Sequence, residues 1–241
     1  MSDWSRFPQP VGLWLFNEGA GGLVNDLSGN GNVGTLQGTA HFGLGKFGSA
    51  LVLDGDSDFV DCGDIDAIDV ATELTVLARV YHNNITADQV IASKADGSWN
   101  FGFVFYRDDA GSETARTDMY KIYLQAGVNT VYLEGSTGSS PLKTWTQVAF
   151  TWVKGSATGL RLYVNGIEDA ESPVDSSSIG DLNAAAYALQ IGISPSDSDY
   201  FNGLIDHVMI FNRALTASQI AQLYQNPFPW FKRDPIELWA A

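Results

Sequence analysis

Residues 53–66, LDGDSDFVDCGDID, carry Asp54, Asp56, Asp58, Asp61, Asp64 and Asp66. Carboxylates at this density can bind a hard cation, act as acid and base, or line a loop. An EF-hand loop begun at Asp54 has carboxylates at its first, third and fifth positions. It then needs Gly at the sixth and Glu at the twelfth, where Phe59 and Ile65 stand. No helical periodicity flanks the run, and the EF-hand reading fails. SALVL and DFVDC on either side are short apolar-rich runs, and DGDS between them is turn chemistry. Gly reaches positive φ without a clash and Asp bonds its own backbone. The expectation is a hairpin with solvated carboxylates.

Other catalytic arrangements are missing. No Gly-x-Ser-x-Gly elbow joins a strand to a helix, and no His-x-x-x-His pair or cysteine cluster offers a zinc site. His41, His82 and His207 lie in unrelated contexts. A retaining glycosidase needs two carboxyls about 5 to 5.5 Å apart facing one cleft. GIEDAES holds Glu168, Asp169 and Glu171 in hairpin-like surroundings rather than inside an apolar strand. The chain is expected not to be an enzyme.

Composition narrows the class further. The 241 residues are 45% hydrophobic, and 28 acidic against 13 basic residues give a net charge of −15. A surface of that balance repels nucleic acid and suits solubility and divalent cations. Length allows one all-β domain with ample core. Cys62 is the sole cysteine, so no internal disulfide forms, and it reads as a small buried hydrophobe on a strand. MSDWSRFPQP lacks a basic n-region and an apolar h-region. No apolar run reaches the roughly 18 residues of a spanning helix. The expectation is synthesis in the cytoplasm without a signal peptide and no membrane insertion.

The elements that must position any site are strands. Period-two runs occur at 12–16, 74–81, 89–94, 100–106, 121–127, 130–135, 146–153, 160–166, 188–193 and 204–211, punctuated by Gly, Asn, Asp and Ser. LTVLARVY is apolar on both faces, as in a sheet covered on two sides. One helix is expected in NRALTASQIAQLYQNP. Thr216 and Gln219 form a capping box, Leu215 and Ile220 a hydrophobic staple, and Asn226-Pro227 the stop. Ile220, Leu223 and Tyr224 would make its apolar face.

Taken in order, LWLFNEGAGGLVNDLSGNGNVGTLQG (13–38), GKFGSALVLDGDSDFVD (45–61), WTQVAFTWV (145–153), LRLYVNG (160–166) and YFNGLIDHVMIFNRALTASQIAQLY (200–224) resemble the laminin-G-like, concanavalin A-like jelly-roll domains of the bacterial and phage branch. The resemblance covers about residues 11–225. It implies an all-β sandwich of two antiparallel sheets with one short C-terminal helix, and first and last strands lying close together. It also implies structural calcium, held by Asp26, Asn30 and Asp206, with Glu18 a further candidate. Alternation places Asp206 on the face of Leu204, Val208 and Ile210 and His207 on the opposite one. A carboxylate on an apolar face is costly unless paired or metal-bound, and residues 7–45 hold no Lys or Arg. Against calcium stands a carboxylate accepting backbone N–H groups, and an Asx-turn at Asp26 and Asn30. Glycosidases of the fold use a Glu-x-Asp-x-Glu strand, and its lyases use His, Tyr, Arg and Gln on adjoining strands; neither pattern is found.

Sugar-binding modules stack rings on Trp and Tyr and fix hydroxyls with polar side chains. Candidates are Trp99, Tyr106, Arg107, Asp197, Asp199 and Tyr200, each of which is also explained by ordinary packing or a solvated loop. Residues 226–241 place Phe228, Trp230, Phe231 and Trp239 beside three prolines, and such rings do not stay in water. They pack on their own sandwich or dock on a neighbour. The division is an N-terminal arm (1–10), a jelly-roll domain (11–225) and an aromatic tail (226–241), with Trp4 and Phe7 in the arm. The leading expectation is a noncatalytic structural protein of a phage particle, located in the virion. Its tail would contact other subunits or further copies of itself, with glycans as additional partners. The alternative is a soluble calcium-dependent carbohydrate-binding module, and less favoured is a glycan hydrolase or lyase.

Overall fold

The computed structural model describes residues 7–84, 87–95, 101–108, 118–182, 187–194 and 199–230. Trp99, Asp197, Phe231 and Trp239, like Trp4, lie outside the described residues. In chain order the strands are β1 Gly12–Trp14, β2 Leu23–Val24, β3 Gly34–Gln37, β4 His41–Leu44, β5 Ser49–Asp54, β6 Phe59–Asp61, β7 Glu73–His82 and β8 Gln89–Ala95. There follow β9 Phe101–Arg107, β10 Tyr120–Ala126, β11 Asn129–Glu134, β12 Thr146–Val153, β13 Arg161–Val164, β14 Ile167–Glu168, β15 Gln190–Ile191 and β16 Asn202–Phe211. Helix α1, Asp66–Asp69, precedes β7, and α2, Ala217–Gln225, follows β16.

These strands make two antiparallel sheets. Sheet A runs β14-β13-β12-β7-β16-β5-β4, with β1 also on β16, and sheet B runs β11-β10-β9-β8-β15-β6-β3-β2. The first strand lies against the last, Leu13 opposite Met209. Between the sheets lies the main core, where Phe150 of β12 meets Phe103 and Phe105 of β9 edge-on at 5.5 and 5.3 Å. Aromatic edges carry partial positive charge and faces negative, which favours such T-shaped pairs over sandwiches. β7 and β16 are central in sheet A and buried on both faces along most of their length.

Because β7 is apolar on both sides, sheet A needs a second cover, and the C-terminus supplies it. Thr216 caps α2 through Gln219 in the expected capping box. Ile220 and Leu223 are buried beside Leu77, Met209 and Phe211 on the far face of sheet A, whereas Tyr224 remains 39% exposed. Phe7, Phe228 and Trp230 close the same cluster, with Trp230 edge-on to Phe7 at 5.6 Å. Half-buried Phe228 and Trp230 therefore pack on their own sandwich.

The acidic run departs from the expected hairpin. β5 belongs to sheet A and β6 to sheet B, so the turn between them carries the chain from one sheet to the other. Asp58 is not solvated. It is 1% exposed and accepts the Thr39 N–H at 2.6 Å and the Asp54 N–H at 3.2 Å. Turn residues alone do not say which sheet receives the second strand, and the buried acceptor settles it. Four further short elements, β2, β3, β4 and β14, have too few residues to display an alternation.

Since Trp230 closes a cluster of its own chain, Trp230→Ala should lower stability by about 1–3 kcal/mol, a Tm fall of about 2–12 °C. Thermal unfolding with light scattering checks it. An unchanged Tm with loss of an oligomer would place this ring on a neighbour instead.

Candidate functional site

The residues implied for calcium are engaged as hydrogen-bond acceptors. Asp26 Oδ1 accepts the N–H groups of Leu13 at 3.0 Å and Ser28 at 2.9 Å. Its Oδ2 accepts the Asn32 N–H at 2.9 Å and the Ser28 hydroxyl at 2.8 Å. Asn30 Nδ2 donates to the Val11 carbonyl at 3.1 Å, and Glu18 Oε1 accepts the Asn25 N–H at 2.9 Å. This loop is thus stitched to β1, the Asx arrangement. Asp206 Oδ2 accepts the Lys46 and Phe47 N–H groups at 2.6 and 2.8 Å. A Cβ on Gly45 would lie 2.7 Å from that oxygen, so Gly at this turn lets two donors converge. N–H groups aimed at both carboxylates present positive charge where a cation would sit. Asp26, Glu18 and Asp206 also do not draw together as a three-carboxylate cluster among the described residues. The set does not fit calcium.

Asp206 also departs from simple alternation. The ladder to β7 pairs Ile205 with Val80 and His207 with Arg79, leaving Asp206 as the extra residue of a bulge. The phase slips by one. Ile205, Val208 and Ile210 face the main core, whereas Leu204 is only half-buried. Asp206 and His207 meet each other, the Nδ1–Oδ1 separation being 2.9 Å. The ring of His207 lies 5.2 Å from Phe228, and Arg79 stacks 5.1 Å over Phe47. Burial pushes the His207 pKa down; the Asp206 bond and charge oppose this, and the Arg79 charge adds to it. Burial likewise holds His82 at about 3, against its bond to Gln89 and with help from the Arg107 charge.

Asp64, Asp66 and Asp69 do gather, with ligand atoms within 4.8 Å of one another. A cation is already present. Lys94, fully buried, sets Nζ 2.7 Å from Asp64 and 2.8 Å from Asp69, and donates to the Tyr187 carbonyl at 2.7 Å. Cys62 is buried and free. Burial first, then the Asp61 and Asp26 charges, raise its thiol pKa, so it is an inert packing group.

Aromatic and charged side chains converge instead on the face of sheet B that points away from the core. Along β10, Tyr120, Ile122 and Leu124 enter the core, so Lys121 and Tyr123 point outward. Register places Tyr106 and Glu134 beside Lys121, and Val104 and Tyr132 beside Tyr123. The Tyr123 and Tyr132 rings are 4.9 Å apart and T-shaped, and Tyr132 is 53% exposed. Lys121 Nζ lies 3.0 Å from Glu134 and 3.2 Å from Asp108. Burial disfavours its charge, but those two carboxylates outweigh it and raise the pKa. Burial also raises the Tyr106 phenol, assisted by the charges of Asp88 and Asp108.

Of the predicted sugar contacts among the described residues, only Tyr106 joins this face. Arg107 is adjacent in the strand and so points the other way. It is fully buried, bonded to Asp118 at 2.6 Å and to the Ser140 carbonyl at 3.3 Å. Asp199 and Tyr200 are half-buried in the connection leading into β16 of the other sheet. Lys121, Tyr123, Tyr132 and Glu134 were the missed members. Their signal is alternation: in KIYLQA and TVYLE the polar and aromatic residues occupy one phase and the aliphatic ones the other.

Two antiparallel sheets, ends joined through β1 and β16, and an aromatic and charged outer face define a lectin-type jelly roll in architecture. A protein-family model described as the concanavalin A-like lectin/glucanases superfamily matches residues 54–221. The chain belongs to that superfamily. Domain 4 of AbnA, a GH43 extracellular arabinanase from Geobacillus stearothermophilus solved in complex with arabinotriose, superposes with a TM-score of 0.68 and 23% identity, covering 90% of this chain and 98% of that one. The binding domain of Paraclostridial Mosquitocidal Protein 1 superposes with a TM-score of 0.71 and 13% identity, covering 91% and 52%. At such identities the likeness concerns the fold. Human adhesion G-protein coupled receptor D1 is 37% identical over 87 residues, 36% of this chain. The chain spans about a tenth of the length of that curated relative.

Two outcomes follow from this geometry. Both buried histidines have folded-state pKa values below the unfolded value near 6.5, so the unfolded chain binds more protons below that pH. Stability should therefore fall as pH drops below about 6.5, by about 1.4 kcal/mol per pH unit down to about 3 from His82, with His207 acting in the same direction. His82→Gln should shallow the slope of ΔG against pH in urea melts, and an unchanged slope would contradict the assignment. Calcium or chelator should move Tm by less than about 1 °C, since a bound ion would shift it by mass action.

Proposed function

We propose that the chain is a noncatalytic glycan-binding domain whose site is the outer face of β9, β10 and β11. The observation that carries this reading is half-exposed Tyr132, set edge-on to Tyr123 at 4.9 Å and flanked by the Lys121–Glu134 ion pair. A sugar ring has apolar C–H faces and a rim of hydroxyls. An exposed tyrosine accepts the face, and fixed charged groups accept or donate to the rim. That the AbnA domain was solved with arabinotriose supports this for a related fold, although function follows the site rather than the fold.

The acids that might have acted in hydrolysis are otherwise occupied. Glu168 pairs with Arg161 at 2.5 Å, and Asp169 accepts the Ser136 N–H at 3.0 Å. On the proposed face the space between Asp108 and Glu134 holds the Lys121 ammonium, which displaces the water or leaving oxygen that a carboxylate pair would need between them. Assembly in a phage particle was expected from the family resemblance, the lack of an export signal, the missing catalytic set and the aromatic tail. Of that tail, Phe228 and Trp230 pack on their own sandwich, and Phe231 and Trp239 lie outside the described residues.

The test is a glycan array followed by calorimetry on wild type and Tyr132→Ala. Tyr132→Ala should weaken binding about tenfold or more, as removal of a stacking ring commonly does, with Tm within about 1 °C because the ring is half in water. Binding unaffected by the substitution would move the site elsewhere, and absence of any glycan ligand would remove the function.

A further inference from the structure

The strands of sheet B carry three cations among the described residues, Lys94, Arg107 and Lys121, and each is already paired. Lys94 lies between Asp64 and Asp69, Arg107 is bonded to Asp118, and Lys121 lies between Asp108 and Glu134. Lys94 and Arg107 are fully buried, and Lys121 is 6% exposed. The proposed face thus places two carboxylates against one ammonium, with the charge of Asp88 felt at Tyr106 as well. The molecule around it has a net charge of −15.

We infer that this site takes neutral glycans and turns away those bearing carboxylates, such as sialylated or uronate-containing chains. The inference rests on the glycan-binding reading above and adds the class of sugar. A sugar carboxylate is ionised at neutral pH and needs an unshared cation or converging N–H donors to replace its water. Here it would meet Glu134, the partly exposed carboxylate, whose ammonium partner among the described residues is shared with the buried Asp108. A neutral sugar meets no such opposition. Its hydroxyls donate to Glu134, and its ring face rests on Tyr132.

The experiment uses full-length chain and matched oligosaccharide pairs that differ only by a terminal sialic acid or by a uronate in place of a hexose. Binding is measured by calorimetry at low and high salt. The neutral member should bind at least about fivefold tighter at about 50 mM salt, and the gap should narrow at about 500 mM as screening shortens to a few ångströms. Glu134→Gln removes one repelling charge and leaves Lys121 a single carboxylate partner, so it should shrink the ratio between neutral and acidic members. An acidic member that binds as tightly as its neutral counterpart, and loses binding in Tyr132→Ala, overturns this inference while leaving the glycan site intact. A ratio untouched by both salt and Glu134→Gln also overturns it. Failure of every glycan to bind instead defeats the functional reading beneath it.

Discussion

Sheet A must be covered twice, and the distribution of function follows from that. LTVLARVY in β7 and the second half of β16 are apolar in both phases of their alternation, so neither face can be left in water. The main core takes one face; α2, Phe7, Phe228 and Trp230 take the other. Each large side chain buried there contributes about 1.5–3 kcal/mol relative to exposure. The C-terminal segment as far as Trp230 is therefore part of the fold, and the far face of β7 and β16 is closed to a ligand. Sheet B answers the same demand differently. One phase of β10 and β11 is aliphatic and enters the core, while the other carries Lys121, Tyr123, Tyr132 and Glu134. On that side Tyr132 and Glu134 of the edge strand β11 reach water, whereas Lys121 is buried with its charge paired and Tyr123 packs with Val90, Ala95 and Val104.

Excess acid gives the interior a consistent pattern. Carboxylates outnumber cations, and the buried cations of sheet B each have at least one carboxylate partner. The surplus carboxylates that are buried accept backbone N–H groups. Asp58 and Asp206 illustrate the second use: one fixes the passage from sheet A to sheet B, the other gathers the turn after β4 onto the bulge of β16. Such groups are poor metal ligands for the same reason that they are good staples. A carboxylate ringed by N–H donors already has its negative charge compensated, without an ion. Removing one partner from these arrangements costs more than the arrangement contributes net, because the remaining charge stays out of water.

Much of the architecture was legible, since alternation survives averaging over six or more residues. β7, β8, β10, β11, β12 and β16 lie within one or two residues of their expected positions, and the capping box of α2 is formed by the named side chains. Legibility ended where a single residue changes the phase. At Asp206 the bulge turns Leu204 and Ile205 over relative to the downstream residues, so a face assigned by counting twos comes out reversed. At DGDS the turn chemistry was right and its destination was not, because antiparallel hairpins and passages between sheets use the same residues. The ligand face was missed for another reason. Attention to aromatic residues at loop tips passed over tyrosines in the middle of strands, where the alternation in KIYLQA and TVYLE already separated a polar phase from an aliphatic one.

Register in β9 determines the chemistry of the outer face. Tyr106 and Arg107 are neighbours, so one of them points out and the other in. A slip by one residue would bury the phenol and present a guanidinium, turning an acidic face into one with a free fork for carboxylates. Gly102 holds the phase. Its φ is +110°, and a Cβ there would lie 1.9 Å from the Lys94 carbonyl oxygen. β9 approaches β8 this closely at a position only glycine can occupy. With that position fixed, Arg107 must reach Asp118 and Ser140, Lys94 must reach Asp64 and Asp69, and Tyr106 is left beside Lys121. The charge that a ligand meets is thus set by a residue with no side chain, several positions away from the ligand.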